Sequence, residues 1–205
     1  MAKIRLTKNE LKKQKDELRR FQRYLPTLQL KKQQLQMVIQ RVEREMQQLI
    51  DQQQEKREAL HKWIAVFGEN RSFPESRRVQ DLVAVTHVYR KQGNIAGVPI
   101  PVFDGIEFES ASYDLLAYPI WVDHAVEVLK ELAELEAKID TLKEQIDLLK
   151  KELRTTSQRV NLFEKIKIPE AQSNIRKIRI YLGDQQTAEV VRGKISKNKI
   201  MRASE

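Results

Sequence analysis

The stretch LKELAELEAKIDTLKEQIDLLKKEL, residues 129–153, decides the fold. It is rich in good helix formers, and its Glu and Lys fall outside an apolar stripe spaced at alternating steps of three and four. Followed outward, the stripe becomes two interleaved series of period seven. One is Tyr118, Ala125, Leu132, Ile139, Ile146, Leu153 and Val160; its companion is Trp121, Val128, Leu135, Leu142, Leu149, Thr156 and Phe163. Only Thr156 among them is clearly polar. The same pattern fills the first third of the chain. Leu11, Leu18, Leu25, Lys32, Ile39, Met46, Gln53, Leu60 and Phe67 interleave with Gln14, Phe21, Leu28, Leu35, Val42, Leu49, Lys56 and Trp63, and thirteen of these seventeen residues are apolar. A sustained seven-residue repeat makes a left-handed coiled coil. A helix over residues 11–67 is about 85 Å long and needs a partner for its stripe.

The second series supplies that partner. The fold class expected is mainly α: a long antiparallel two-helix left-handed coiled coil with a small insert containing a β-hairpin. A parallel homodimer is the structural alternative. The expected divisions are a long helix over 1–67, the insert over 68–117, a second long helix over 118–183 and a basic tail over 184–205.

Two prolines interrupt the pattern. After Phe163 the apolar positions become Ile168, Ala171, Ile175, Ile178 and Leu182, a skip of one residue, and Pro169 sits at the skip. Proline removes a backbone donor and clashes with the preceding turn, so a bend is expected there. Pro26 is expected to deform the first helix in the same way. In an antiparallel hairpin it lies opposite about residue 159, so both helices deform at nearly the same height.

The insert is of another kind. It holds four of the six glycines and three of the six prolines, and helical periodicity stops at FGENRSFPES, where Gly68 is a plausible helix end and Pro74 forbids continuation. Beyond it, Val83, Val85, His87 and Tyr89 alternate with Ala84, Thr86 and Val88, and QGN (92–94) reads as a turn, so a hairpin is expected. A lone hairpin is marginal in water and must pack on the helices or on a partner. FESASYDLLAYPIWVD offers a short helix, and Tyr118 and Pro119 fit the start of the long one.

The net charge of +9 is uneven. Residues 1–36 carry eleven Lys/Arg against three Asp/Glu (+8), and residues 165–205 carry ten against four (+6), which leaves −5 on residues 37–164. An antiparallel hairpin brings both basic ends to one tip. Such a tip seeks an anionic surface, either nucleic acid or a protein socket with an acidic or polar lining. Against nucleic acid, aromatics near the tip are few, and Phe21 and Phe163 occupy the seam. A solvated charge run on exposed helix faces is the plain alternative.

No catalytic constellation is visible. The absence of cysteine excludes disulfides, thiol nucleophiles and cysteine zinc sites, and suits a reducing cytoplasm. His61, His87 and His124 have no metal-binding spacing, and GNIAG (93–97) is a turn, with no phosphate-loop motif in the chain. No cofactor and no enzyme activity are expected of the chain alone. The opening MAKIRLTKNELKK has no apolar core, so no signal peptide is expected, and no apolar stretch is long enough for a membrane helix.

RVNLFEKIKIPEAQSNIRKIRIYL, residues 159–182, resembles the C-terminal helix of the D subunit of the V/A-type rotary ATPases. The matching positions are Arg159, Val160, Asn161, Glu164, Ile168, Pro169, Ile175, Ile178 and Leu182. The opening of the chain is similar at Thr7, Lys8, Leu11 and Lys12, as is the following run at Leu28, Leu30, Lys31, Lys32 and Leu35. The layout matches over nearly the whole chain; Pro26-Thr27 departs from the family's pattern. The resemblance implies a non-catalytic rotor shaft. Its basic tip, here Lys3, Arg5, Lys8, Lys12, Arg176, Lys177, Arg179, Arg192 and Lys194, would enter the ring of A- and B-type subunits. Its lower body would bind the small F-type subunit and seat on the funnel-like subunit of the membrane rotor, with Val85, His87 and Tyr89 of the insert as candidate contacts. The implied setting is cytoplasmic and peripheral to a membrane-bound complex. A nucleic-acid tether and a prefoldin-like holdase are the rival readings, the latter disfavoured by the basic tip.

Overall fold

A computed structural model describes residues 4–68, 82–109 and 121–203, and for 61–68 the backbone alone. The order is α1 (Lys8–Gly68), β1 (Val85–Ile95), β2 (Val98–Phe108), α2 (Val122–Leu162), a π-helical turn (Phe163–Lys167) and α3 (Ile168–Ala203). The chain divides into a terminal unit, Met1–Lys32 with Thr155–Glu205, and a central unit, Gln33–Arg154. The short helix expected before the second long helix, and the start at Tyr118 and Pro119, lie outside the described residues.

Thr7 starts α1. Its hydroxyl accepts the backbone N–H of Glu10 at 3.3 Å, and its carbonyl accepts the N–H of Leu11 at 3.0 Å; the Thr7…Glu10 spacing is that of a capping box. The helix then runs 61 residues without a break. The deformation expected at Pro26 therefore does not interrupt it. Pro26 and Gln22 are both exposed, so the Gln22 carbonyl that loses its donor can meet water. Every described position of the first apolar series, from Leu11 to Leu60, is buried or half-buried, Lys32, Gln53 and Lys56 included. The second series behaves likewise from Trp121 to Phe163.

In the central unit Leu35, Ile39 and Val42 pack with Leu142, Ile146 and Leu149, and Leu35 and Leu149 are fully buried. Each such side chain contributes about 1.5–3 kcal/mol of transfer free energy. The helices are antiparallel, as the cross-helix ion pairs Glu43–Lys150 (2.8 Å) and Lys56–Glu131 require. The hairpin joins the same core through Val98 and Ile100, with Ile95 and Ala96 against it. Gln145 Nε2 donates to the Pro101 carbonyl at 2.6 Å, and Arg90 reaches Glu144 at 2.8 Å. These contacts give a two-stranded sheet the support it lacks alone. A smaller cluster joins Leu82 to Val122 and Val126.

The hairpin's turn is not at QGN. Gln92, Gly93 and Asn94 lie inside β1, paired with Pro101, Ile100 and Pro99, and the turn is Ile95–Val98. Ala96 and Gly97 have φ of 53° and 79°, the two left-handed residues of a type I′ turn. Asn94 Oδ1 accepts the Gly97 N–H at 3.0 Å and fixes it. The alternation expected over residues 83–89 is also broken. The register shifts between Val85 and His87 and again between Tyr89 and Arg90, so strict period-two facing is lost.

In the terminal unit Phe21 stacks on Phe163 at 5.3 Å, and Asn174 Nδ2 donates to Gln14 Oε1 at 3.4 Å. The one-residue skip now has a structural cause. The Ile168 N–H donates to the Phe163 carbonyl, five residues back, which inserts one residue into the turn. Pro169 has no N–H to return to Glu164 or Lys165. The extra residue is taken up locally, and Ala171, Ile175 and Ile178 return to the buried face. No residue of the π turn is itself buried. Beyond it α3 continues through Gly183 and Gly193 to Ala203, with no helix end near residue 184.

Candidate functional site

The candidate sites are surfaces. Among the described residues no group of His, Asp or Glu is placed to hold a metal ion, and no helix is long and apolar enough to cross a membrane.

In the terminal unit Arg5, Lys8, Lys12, Arg176, Lys177, Arg179, Arg192 and Lys194 are all exposed; Lys3 lies outside the described residues. Because α3 runs antiparallel to α1 with Asn174 on Gln14, Lys8 and Lys12 lie toward the same end as Arg176, Lys177 and Arg179. Arg192 and Lys194 stand further along α3, past Leu182, the last residue of the apolar seam. There Val190, Val191, Ile195, Ile200 and Met201 are exposed.

Two open grooves flank the seam. One, of about 830 Å³, is lined by Lys15, Leu18, Arg19, Gln22, Gln172, Ile175, Arg176, Arg179 and Ile180. It joins Arg176 and Arg179 to two cations that sequence reasoning did not single out, Lys15 and Arg19. Both flank Leu18 on its helix, and in an antiparallel coil that flank faces the Gln172–Arg179 flank of the partner, which was the available signal. The other groove, about 590 Å³, mixes charges: Glu17 and Glu170 stand with Arg20 and Lys167, beside Phe21, Phe163 and Asn174. Of the residues that carried the family resemblance, Val160 is buried and Ile168 half-buried, whereas Arg159, Asn161, Glu164 and Pro169 face outward.

On the insert Val85, His87 and Tyr89 are exposed. The His87 and Tyr89 rings meet edge to face at 4.7 Å. Tyr89 Oη donates to Glu107 at 2.6 Å, and that hydrogen bond, with the nearby carboxylate charge, raises the phenol above its usual pKa.

Sequence comparison places the chain in a family over nearly its whole length. Residues 10–198 match the family described as the D subunit of ATP synthase. The chain belongs to that family. It is 54% identical over 202 residues to the D subunit of the V-type ATP synthase of Borreliella burgdorferi, covering 98% of this chain and 97% of the relative. It is 35% identical over 205 residues to the D subunit of the V-type ATP synthase of Chlamydia abortus, covering 100% and 97%. That of Chlamydia muridarum is 34% identical, with 100% and 99% covered. As a member of the D-subunit family, the chain is one component of a membrane-associated rotary ATPase. The matched residues of this chain include those of its hairpin and most of α3.

Proposed function

We propose that this chain is the non-catalytic central-stalk rotor of a V/A-type ATPase or ATP synthase. It transmits torque between the ATP-hydrolysing or synthesising ring and the ion-translocating rotor in the membrane. The terminal unit enters the ring of A- and B-type subunits, presenting Lys3, Arg5, Lys8, Lys12, Arg176, Lys177, Arg179, Arg192 and Lys194. The central unit binds the F-type subunit and the funnel-like subunit, with Val85, His87 and Tyr89 of the hairpin among the contacts. The chain itself is cytoplasmic and peripheral to the membrane.

The observation that supports this reading best is the terminal unit. It pairs the first and last segments of the chain in one antiparallel coil and exposes cations on both helices. Two interlocked helices resist bending and twisting better than one, as torque transmission demands. Pro169 and its π turn lie between Val160 and the cationic stretch of α3, and on this reading they shape the base of the segment that enters the ring.

The chain has no cysteine, so a single introduced one reports without background. With Lys194→Cys cross-linked to a cysteine on a ring subunit, ATP hydrolysis and ion transport should both stop, and reductant should restore them. Undiminished, fully coupled turnover in the cross-linked complex would sink the rotor assignment. For the Pro169 reading, a Pro169→Ala complex with normal ATPase rate and coupling is the contrary result.

A further inference from the structure

The groove lined by Lys15, Arg19, Arg176 and Arg179 places cations on both helices of one interface. Across an antiparallel seam, opposite charges at flanking positions stabilise the pair, and like charges repel. The central unit obeys this, with Glu43 on Lys150 and Lys56 on Glu131. The terminal groove does the reverse, and no acidic side chain lines it. The other groove of the same unit is balanced, two carboxylates against two cations. The cation excess is therefore one-sided. The groove is also part apolar: Ile175 is buried in its floor, Leu18 is half-buried and Ile180 is 57% exposed.

We propose that this groove is the docking site for an acidic amphipathic polypeptide segment. Its Asp or Glu carboxylates would meet the four cations, and an apolar side chain would cover Leu18 and Ile180. This deepens the rotor reading and rests on it, naming the chemistry that the ring presents to the shaft. The three guanidinium groups suit carboxylates, which they can hold through two parallel hydrogen bonds. Nucleic acid fits less well. No aromatic side chain lines the groove for base stacking, and phosphates gain nothing from the apolar floor. A bound acidic segment supplies the charge that the isolated coil lacks, so docking relieves the repulsion.

The test compares two reversals of equal charge in the full chain. Arg176→Glu with Arg179→Glu changes the groove. Lys13→Glu with Arg23→Glu changes exposed cations that line neither groove. At low salt the groove variant should melt about 2–4 °C above the wild type, because the new carboxylates face Lys15 and Arg19. Its binding to the purified ring of A- and B-type subunits should weaken by about tenfold or more, while the control stays within about threefold. Arg176→Gln with Arg179→Gln should be intermediate in both. Wild-type ring binding by the groove variant, an equal loss in the control, or a lowered melting temperature would overturn the proposal. Should the wild type fail to bind the ring, the rotor reading fails and a helical Glu/Leu peptide becomes the probe. Peptide binding lost only in the groove variant upholds the groove. Peptide binding unchanged by the reversal, or tighter binding of duplex DNA at the same salt, overturns it.

Discussion

Gly97 is required by its backbone alone. Its φ of 79° lies in the left-handed region, yet a Cβ there would touch nothing within 4 Å. Gly97→Ala should therefore cost about 1 kcal/mol, through conformation only. Gly93 is the opposite case, since a Cβ there would stand 2.8 Å from Val102 Cγ2. Gly93→Ala should cost about 1–3 kcal/mol by overpacking. Urea unfolding of the two variants separates the cases: Gly93→Ala should regain stability when combined with Val102→Ala, and Gly97→Ala should not. On the same strand as Gly93, Tyr89 gives a test by pH. Its hydrogen bond to Glu107 favours the protonated phenol, so its folded pKa lies above the usual value. The stabilisation that follows is fully present below the unfolded phenol's pKa and is lost as pH rises through the folded one. Glu107→Gln should lower the Tyr89 titration, followed by phenolate absorbance after correction with Tyr89→Phe. An unchanged midpoint would remove the hydrogen bond from the account.

The long elements were legible because a seven-residue apolar repeat has one stable use at this length. Even its polar members, Lys32 and Lys56, took seam positions, since their carbon stems can cover apolar surface. The hairpin was legible in outline and misplaced in detail. QGN is a strong turn signal locally, but the two-residue turn at Ala96-Gly97 sets the register that delivers Val98 and Ile100 to the core. The skip after Phe163 was visible as a shift in phase, but a phase shift alone does not show which backbone hydrogen bonds take up the additional residue. The π turn takes it up within one turn, and this makes a sharp prediction. Deleting exposed Ile166 and changing Pro169→Ala leaves the apolar positions in unbroken alternation of three and four, so a plain α-helix satisfies the same seam. The doubly altered chain should gain about 1–2 kcal/mol from restored backbone hydrogen bonds. Its amides just after Phe163 should exchange more slowly, by about tenfold, than in the wild type. Pro169→Ala alone keeps the additional residue and should keep the fast exchange. If deletion destabilises the chain instead, the π turn is holding contacts that its exposure does not reveal.

At the scale of the whole chain, the charge division read from the sequence acquires a thermodynamic consequence once the terminal segments are seen to pair. Residues 1–36 carry +8 and residues 165–205 carry +6, and segments of both lie side by side in one coil. The sequence disclosed these totals. The heptad positions put Lys15 and Arg19 on the flank of Leu18 that faces the last segment, but that they share one groove with Arg176 and Arg179 depends also on the pairing of segments some 160 residues apart and on the π turn that sets their phase. Like charges lining one groove make the isolated chain respond to salt in an uncommon direction. Where surface ion pairs dominate, added salt screens attraction and weakens the fold. Here screening should relieve more repulsion than it removes attraction, since the ion pairs described are exposed and each such pair is worth at most about 1 kcal/mol. The melting temperature of the isolated chain should therefore rise between low and physiological ionic strength, over which the screening length falls from about 30 Å to about 8 Å. Chloride should do this as well as sulfate at equal ionic strength, because the effect is screening and not exclusion of the salt from apolar surface. A melting temperature that falls with chloride would mean that the cations of the terminal unit are already neutralised within the chain, and the case for an acidic partner would lose its physical basis.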